Sequence, residues 1–384
     1  MKIALLTDGI PPYVVGGMQQ HSYSLAKYLV LNGNEVTLFH FVKKGQPIPS
    51  EYEINKLLFN NELKFNKVFC FYFPTSVRFP GHYLYNSYRY SKLVYSALIN
   101  NVNSFDFIYS KGFSGWKLLN EKVKGNFKTK VGVKFHGYEM YQYAPNFKIK
   151  LQHLMLRPFV KKINLKADVV FSYGGKITQI IKNLGVPNSK IFDVPSAIDP
   201  YWISQKKLVD FNPLKFLFVG RCERRKGIEE INEAIKIMCN SDFKAEFHFV
   251  GPIPKKKQLN VSNLRIVYHG LINDLEERQS IYDRCDVLLC PSYSEGMPNV
   301  ILEAMSRGLA IIATNVGAIC DIVCEKNGIL LENNKPLAIL EAIMILKSDK
   351  LKLVELQQNS VAKVRERFSS DIVFKKLIDR KNFF

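Results

Sequence analysis

Two glutamates eight positions apart, Glu295 and Glu303 in PSYSEGMPNVILEAMSRG, stand out in a chain whose net charge is +20. A carboxylate has only acceptor lone pairs, so it can receive two hydrogen bonds from adjacent hydroxyls, as a ribose or another sugar presents them. Pro298 cannot sit inside a helix but is favoured at its start, so a helix is expected to begin near it. Glu295 then lies in a strand-to-helix loop and Glu303 within the first two helical turns. Free backbone amides and the partial positive charge of a helix N-terminus accompany them there, a setting that suits phosphate. A surface glutamate and a turn glycine would explain either residue singly. The specific signal is the order Glu, break, Glu, directly after the run DVLLCPS.

A second group lies in FVGRCERRKGIEEI, residues 218–231. Arg221 follows the expected strand end at Gly220, and Lys226 precedes Gly227, where the next helix opens. A planar guanidinium and a flexible ammonium at one strand-helix turn could stabilise the growing charge of a departing diphosphate. Arg224 and Arg225 read as a solvated basic loop. Gly16-Gly17, in DGIPPYVVGGMQQH, lets backbone approach a phosphate closely. The loop is not GxGxxG, which argues against a dinucleotide oxidoreductase. His136, in KFHGYE, ends a strand and could reach a sugar hydroxyl, although a lone histidine such as this or His21 is more often structural. No Asp-x-Asp and no His/Cys/Asp cluster at ligand spacing occurs, so neither a metal nor any other cofactor is expected.

Positioning these residues requires strands that end where they stand. Strand-like runs fall at 2–8, 35–42, 67–73, 105–110, 130–136, 167–173 and 190–196, separated by segments with apolar residues at helical spacing. After Phe211-Asn212-Pro213 the pattern restarts at 215–220, then 246–251, 265–270, 286–292, 310–315 and 328–332. Strands alternating with helices mean parallel sheets covered on both faces, with ligands at the strands' carboxyl ends. The α/β chain therefore reads as two doubly wound Rossmann-like domains, 1–200 and 201–365, followed by a C-terminal helix, 366–384, that packs back on the first. With 384 residues, two cores are expected. No apolar run reaches the roughly 18 residues of a membrane span, and MKIALLTDGIPP lacks the features of a signal peptide. The seven scattered cysteines suit reduced thiols in a cytoplasm; Cys320 and Cys324 could share a helix face, a weak metal signal.

These residues, in this order, resemble the retaining nucleotide-sugar glycosyltransferases of family 4 (group 1), whose GT-B fold has two Rossmann-like domains facing across a cleft. The likeness runs through GGMQQHSYSLAKYLVLNGNEVTLF, the His136-Gly137 pair, LGVPNSKIFDVPSAID, VGRCERRKG and SEGMPNVILEAMSRGLAIIATNVGAICDIV. It implies a donor site formed by Gly16, Gly17, Arg221, Lys226, Glu295, Gly296, Met297, Asn299, Val300 and Glu303. Glu303 would take the ribose, Arg221 and Lys226 the diphosphate, and Glu295 the surroundings of the sugar. His136, Glu295, Arg221 and Lys226 would carry catalysis. Three departures matter: Ser196-Ala197-Ile198-Asp199 for the usual Asn-Gly-Val-Asp, Gly317-Ala318-Ile319-Cys320-Asp321 for Gly-Gly-x-Pro-Glu, and Met297-Pro298 for Phe-Gly.

The resemblance further implies sugar transfer from a UDP- or GDP-sugar to a saccharide or lipid-linked saccharide acceptor held by the first domain, with retained anomeric configuration. Surface polysaccharide synthesis (lipopolysaccharide, capsule or O-antigen) or glycolipid synthesis is the expected setting. Residues 1–200 carry +15 of the net charge, which fits an anionic acceptor or peripheral contact with the inner face of an anionic membrane. The tyrosine-rich stretch 67–98, with Arg78, Arg89 and Lys92, reads equally as a membrane or sugar-binding face and as a core helix. Nucleic acid is not an expected partner, since no binding module appears. Two other functions share the architecture: a nucleotide-sugar 2-epimerase, which needs no acceptor, and a sugar-binding scaffold without activity.

Overall fold

The computed structural model describes all residues except 15, 60–62, 77–78, 205–212, 240–243, 262 and 380–384. Arg78 and the Phe211-Asn212 junction therefore lie outside the described residues. The chain divides into two compact units: Met1–Tyr141, Asn146–Pro195 and Val373–Phe384 form unit 1, and Gln142–Pro145 with Ser196–Ile372 form unit 2. Unit 1 thus regains the chain at Val373, seven residues after the sequence-based boundary at 366.

Unit 1 runs β1 (Lys2–Leu6), α1 (Gly17–Leu31), β2 (Glu35–Val42), α2 (Glu51–Phe59), β3 (Lys67–Tyr72), α3 (His82–Leu98), β4 (Phe107–Lys111) and α4 (Trp116–Lys122). It continues with β5 (Lys130–Lys134), α5 (Phe147–Lys166), β6 (Val169–Ser172), α6 (Gly175–Asn183) and β7 (Ile191–Asp193). The seven strands are parallel in the order β3-β2-β1-β4-β5-β6-β7. A sheet covered on both faces needs apolar residues at successive positions, and β1 (KIALL) supplies them: Ile3, Ala4, Leu5 and Leu6 are all buried.

Unit 2 contains β8 (Leu214–Val219), α7 (Ile228–Met238), β9 (Ala245–Val250), β10 (Arg265–Gly270), α8 (Leu275–Asp283), β11 (Val287–Cys290) and α9 (Asn299–Ser306). Then come β12 (Ala310–Thr314), α10 (Ile319–Ile322), β13 (Gly328–Leu331), α11 (Pro336–Ser348) and α12 (Lys350–Arg367). Its parallel order is β10-β9-β8-β11-β12-β13. Phe216 and Phe247 stack with ring centres 5.1 Å apart, and α7 and α11 close that core with Ile231, Ile235, Ile339 and Ile343. The final helix, α13 (Ser370–Ile378), buries Phe374 edge-on to His21 and tilted against Tyr28 of α1.

In both sheets the order reverses beside the first strand. β1 lies between β2 and β4, and β8 between β9 and β11. The loops leaving the carboxyl ends of such a strand pair diverge and leave a crevice where ligands bind. In unit 2 those loops are 220–227 and 291–298, the two segments singled out for their chemistry.

Candidate functional site

The loops of unit 2 are locked together by backbone contacts that only glycine permits. Gly227 has φ 72°, and a Cβ there would stand 2.2 Å from the Pro291 carbonyl oxygen. At Gly317, φ 58°, a Cβ would meet the carbonyl oxygens of Glu295 and Gly296 at 2.3 and 2.5 Å. Ala318 donates its amide to the Gly296 carbonyl at 2.7 Å, and Tyr293 donates to the Arg225 carbonyl at 2.7 Å. The first glycine of the GAICD segment is therefore needed for the close approach of this loop.

This frame holds the cations against acids. Lys226 Nζ donates to Glu295 Oε1 at 2.6 Å, and Ser292 Oγ donates to the same oxygen at 2.8 Å. Arg225 Nη1 stands 3.6 Å from Glu295 Oε2. Burial pushes the Glu295 carboxyl up, but the charges of Lys226 and Arg225 outweigh it and hold the group below the ordinary carboxylate range. Glu295 is only 5% exposed. Its carboxylate, expected to receive sugar hydroxyls, has protein partners at both oxygens, Lys226 among them. Arg221 is the contrasting cation: its side chain is 71% exposed, with Glu223 Oε1 3.0 Å from Nη1.

Arg224 and Arg225 are not a solvated loop, as the run of charges suggested. Arg224 makes a two-pronged bond to Glu230 at 2.7 and 2.9 Å, and its guanidinium lies 4.7 Å from the Tyr293 ring centre. Arg225 bonds Glu223 at 2.8 Å and the Ser294 carbonyl at 3.2 Å. Both belong to the scaffold that shapes the crevice. Sequence reasoning passed over Tyr293 as well; its place within PSYSEG, between two site residues, was the signal.

α9 begins at Asn299 with Pro298 as its N-cap, and no side chain caps its first turn. The Ile301 amide bonds the Pro298 carbonyl at 3.1 Å, and the amides of Asn299 and Val300 ahead of it are positioned to suit an anion. Asn299 Oδ1 and Ser294 Oγ are buried without a hydrogen-bond partner among the described residues, a state that is costly unless a ligand supplies the missing bond. Met297 is buried, its sulfur 3.0 Å from the Ser196 amide; Val300 and Gly296 contribute backbone at the same turn. Further along α9, Glu303 Oε2 accepts from the Tyr282 hydroxyl at 2.7 Å. Burial and the facing carboxylate push the Tyr282 phenol well up, so it remains a donor. The other carboxylate oxygen of Glu303 has no protein partner among the described residues.

In unit 1 the strand ends carry a different set of groups. His136 follows β5 and meets the Tyr173 hydroxyl through Nδ1 at 2.7 Å. The next two residues, Gly137 and Tyr138, have φ 85° and 49°; for a tyrosine this is strained backbone, held by full burial and a 2.7 Å bond to Asn164. Gly16 is the N-cap of α1 and Gly17 its first residue, again with no side-chain cap. Beneath them, His21 lies between two buried lysines: Lys111 Nζ is 2.9 Å from Nδ1 and Lys134 Nζ 3.2 Å from Nε2. A neutral imidazole offers one donor and one acceptor, so both contacts are satisfied only if one amine is neutral. Burial pulls Lys111 down to about 7, partly opposed by Asp8, and pulls Lys134 and His21 well down.

The cysteine expectation is also revised. α10 ends at Ile322, so Cys324 lies beyond it, where its thiol meets Asn327 and Lys363. Among the described residues no group of three or more His, Cys, Asp or Glu could hold a metal ion, and no helix is long and apolar enough to cross a membrane.

Sequence and fold comparisons bear on the family and the architecture. Residues 15–202 match the profile described as Glycosyltransferase Family 4, and residues 213–349 match Glycosyl transferases group 1. The chain is 28% identical over 172 residues to the capsular polysaccharide biosynthesis glycosyltransferase CapM of Staphylococcus aureus, covering 44% of this chain and 45% of CapM. It is 25% identical over 250 residues to the N,N'-diacetylbacillosaminyl-diphospho-undecaprenol alpha-1,3-N-acetylgalactosaminyltransferase of Campylobacter jejuni, covering 62% of each protein. These matches span about half the length of the relatives. Among solved structures, Anabaena HepE in complex with UDP superposes with a TM-score of 0.72 at 16% identity, covering 100% of both chains. The architecture is thus the GT-B fold, and the chain belongs to the group 1, family 4 glycosyltransferases.

Proposed function

We propose that the protein transfers a sugar from a nucleoside diphosphate, UDP or GDP, to a hydroxyl of a saccharide or lipid-linked saccharide acceptor. The anomeric configuration is retained and no metal is required. The observation that carries this reading is the grouping at the unit 2 switch point: Lys226 anchored on Glu295, exposed Arg221, the uncapped start of α9, and Glu303 anchored on Tyr282. Lys226, Arg221 and the α9 amides bind the diphosphate and stabilise the charge it gains as the sugar departs. Glu303 receives the ribose hydroxyls through its open oxygen. The acceptor attacks from the face the diphosphate leaves, and the leaving phosphate takes the acceptor's proton. His136, whose Nδ1 meets the Tyr173 hydroxyl, is the unit 1 residue we assign to the sugar and acceptor.

Surface polysaccharide or glycolipid assembly at the inner face of the cytoplasmic membrane is the setting we infer, in keeping with the named activities of the capsular and undecaprenol-linked relatives. A thermal-shift screen of nucleoside diphosphates and their sugars tests the donor reading: one base is expected to raise the melting temperature in proportion to the logarithm of concentration. Failure of every nucleotide at millimolar concentration would overturn it. The nucleotide-sugar that binds is then incubated without acceptor. Conversion to an isomer would identify an epimerase, and release of nucleoside diphosphate only on adding acceptor a transferase. An NMR assignment of the product's anomeric proton decides retention, and activity in EDTA decides the metal.

A further inference from the structure

Helix α5 is amphipathic in the reverse of the usual sense. Of its 20 residues only Val160, Ile163 and Asn164 are buried. Phe147, Leu151, Leu154 and Leu165 are 80%, 50%, 46% and 40% exposed, and Pro158 is exposed too. At 3.6 residues per turn, spacings of four, seven, eleven and eighteen from Phe147 place all five along one line of the helix. The buried residues fall on the opposite side. Lys150, Lys161 and Lys162 are exposed and flank the line. Residues 146–167 hold six Lys or Arg and no Asp or Glu.

The neighbouring helix extends this surface. Residues 67–98 also contain no acid. Tyr83 and Tyr85 of α3 are 52% and 51% exposed, and Arg89 lies 5.7 Å from the Tyr85 ring centre. Trp116 joins the two helices, with Tyr88 at 4.9 Å on one side and Phe159 at 5.2 Å on the other. The tyrosines of α3 thus divide: Tyr90 is buried and bonds the Thr7 carbonyl at 2.9 Å, while Tyr83 and Tyr85, on opposite sides of the helix, are half exposed and lie edge-on to Phe113 and Phe79. Exposed apolar residues in one stripe, rimmed by cations with no acid among them, exceed what a solvated surface carries.

We propose that the outward face of α5, together with the start of α3, docks unit 1 on an anionic phospholipid bilayer. The stripe from Phe147 to Leu165 enters the boundary between headgroups and acyl chains, and Lys150, Lys161 and Lys162 meet lipid phosphates on either side of it. Charge complementarity selects this occupant: the lysines lie beside the apolar line, as an interfacial helix requires, and an acidic protein partner would leave the central line of leucines uncovered. The inference goes beyond the transferase reading and does not depend on it, since vesicle binding needs no donor or acceptor.

Flotation of the full-length protein with vesicles of phosphatidylcholine alone, or with 30% phosphatidylglycerol (about 30%, chosen to mimic an anionic leaflet), tests it. Binding is expected only with the anionic lipid. A lysine near such a surface contributes on the order of five-fold, so K150E/K161E/K162E should lower partitioning by about 100-fold or more. F147S/L151S/L154S should bind at low salt but be released by a salt wash that leaves the parent bound, because insertion is what resists screening. All six positions are exposed, and far-UV circular dichroism with nucleotide-induced melting shifts checks that the variants fold. No binding to anionic vesicles, or equal binding by both variants and the parent, would overturn the proposal. So would a dimer in sedimentation equilibrium that F147S/L151S/L154S converts to monomer, since the stripe would then be an interface between copies.

Discussion

The two units place their polar groups at the same topological position and treat charge in opposite ways. At the β8–β11 ends of unit 2 each cation of the 224–226 turn meets an acid: Arg224 has Glu230, Arg225 has Glu223, and Lys226 has Glu295. At the β1–β4–β5 ends of unit 1 two lysines, both under 5% exposed, flank one histidine. The charge of Asp8 opposes the shift of Lys111, and that of Asp193 the shift of Lys134. A paired cation stays charged and keeps a fixed position, ready for a phosphate. A fully buried one holds its proton less tightly, even with Asp8 opposing the shift at Lys111. Position at a strand end is therefore not enough to make a cation fit for phosphate; burial and the acid beside it decide together.

Stability against pH should break the comparison most strongly. The Lys111 amine falls from 10.5 to about 7 in the fold, so between those values the unfolded chain binds more protons than the native one, and stability rises with pH. Below about pH 7 both states are protonated and the full penalty of burying the charge is present. The whole window corresponds to at most about 5 kcal/mol. Lys134 is shifted in the same direction by burial and the charge of Lys111, and His21 by burial and the charges of both lysines. Asp8, pushed up by burial, has the opposite sign, but its window begins at 3.8. Urea unfolding at pH 7 and pH 9.5 should show the native chain gaining stability, and K111M losing the Lys111 share of that gain while the share of Lys134 remains. A parallel rise in both proteins would mean that Lys111 is charged in the fold.

The next effect tests whether Glu295 serves Lys226 or the sugar. Lys226→Ala should lower kcat on the order of 10²–10³-fold, the range for losing one preorganised donor to a developing charge. Glu295→Ala should lower it comparably, because the ammonium loses the partner that aims it. If holding Lys226 is all that Glu295 does, the double variant should be no worse than either single one. Losses that multiply would instead give Glu295 a contact of its own with the substrate. The donor found by the thermal-shift screen is the substrate for this cycle.

Much of this geometry could be read in the chain, and what could not follows a pattern. Parallel strands buried on both faces are near-continuous apolar runs, so β2 appears in the sequence with its observed ends at 35–42; the half-buried edge strand β10 is matched as well, at 265–270. Glu303 was legible because Pro298 fixes where α9 starts and an i-to-i spacing then fixes its turn. The partners of the cations were not legible. Glu230, Tyr293 and Glu295 reach residues 224–226 from 6 to 69 positions away, and local pattern has no access to pairing across loops. The Lys111–His21–Lys134 cluster was hidden for the same reason, assembled from α1, β4 and β5. The outward stripe of α5 was overlooked because apolar residues at helical spacing ordinarily mark the buried face.

The smallest effect expected is at Tyr282, and it refines the comparison by asking how a neutral partner performs where the cations use charged ones. Its hydroxyl donates to Glu303 Oε2 and is held in place by Trp202, edge-on at 5.8 Å. Tyr282→Phe removes only that hydrogen bond, leaving Glu303 charged but less firmly oriented toward a ribose. Nucleotide affinity measured by calorimetry should fall by roughly 3–10-fold, the equivalent of about 1 kcal/mol. Glu303→Ala, which removes the ribose acceptor itself, should cost about ten times more. Affinity for inorganic pyrophosphate should be unchanged in both variants, because Arg221, Lys226 and the α9 amides are untouched. A loss of pyrophosphate binding in Tyr282→Phe would show that the phenol supports the start of α9 rather than the carboxylate, and would move the ribose contact to another residue.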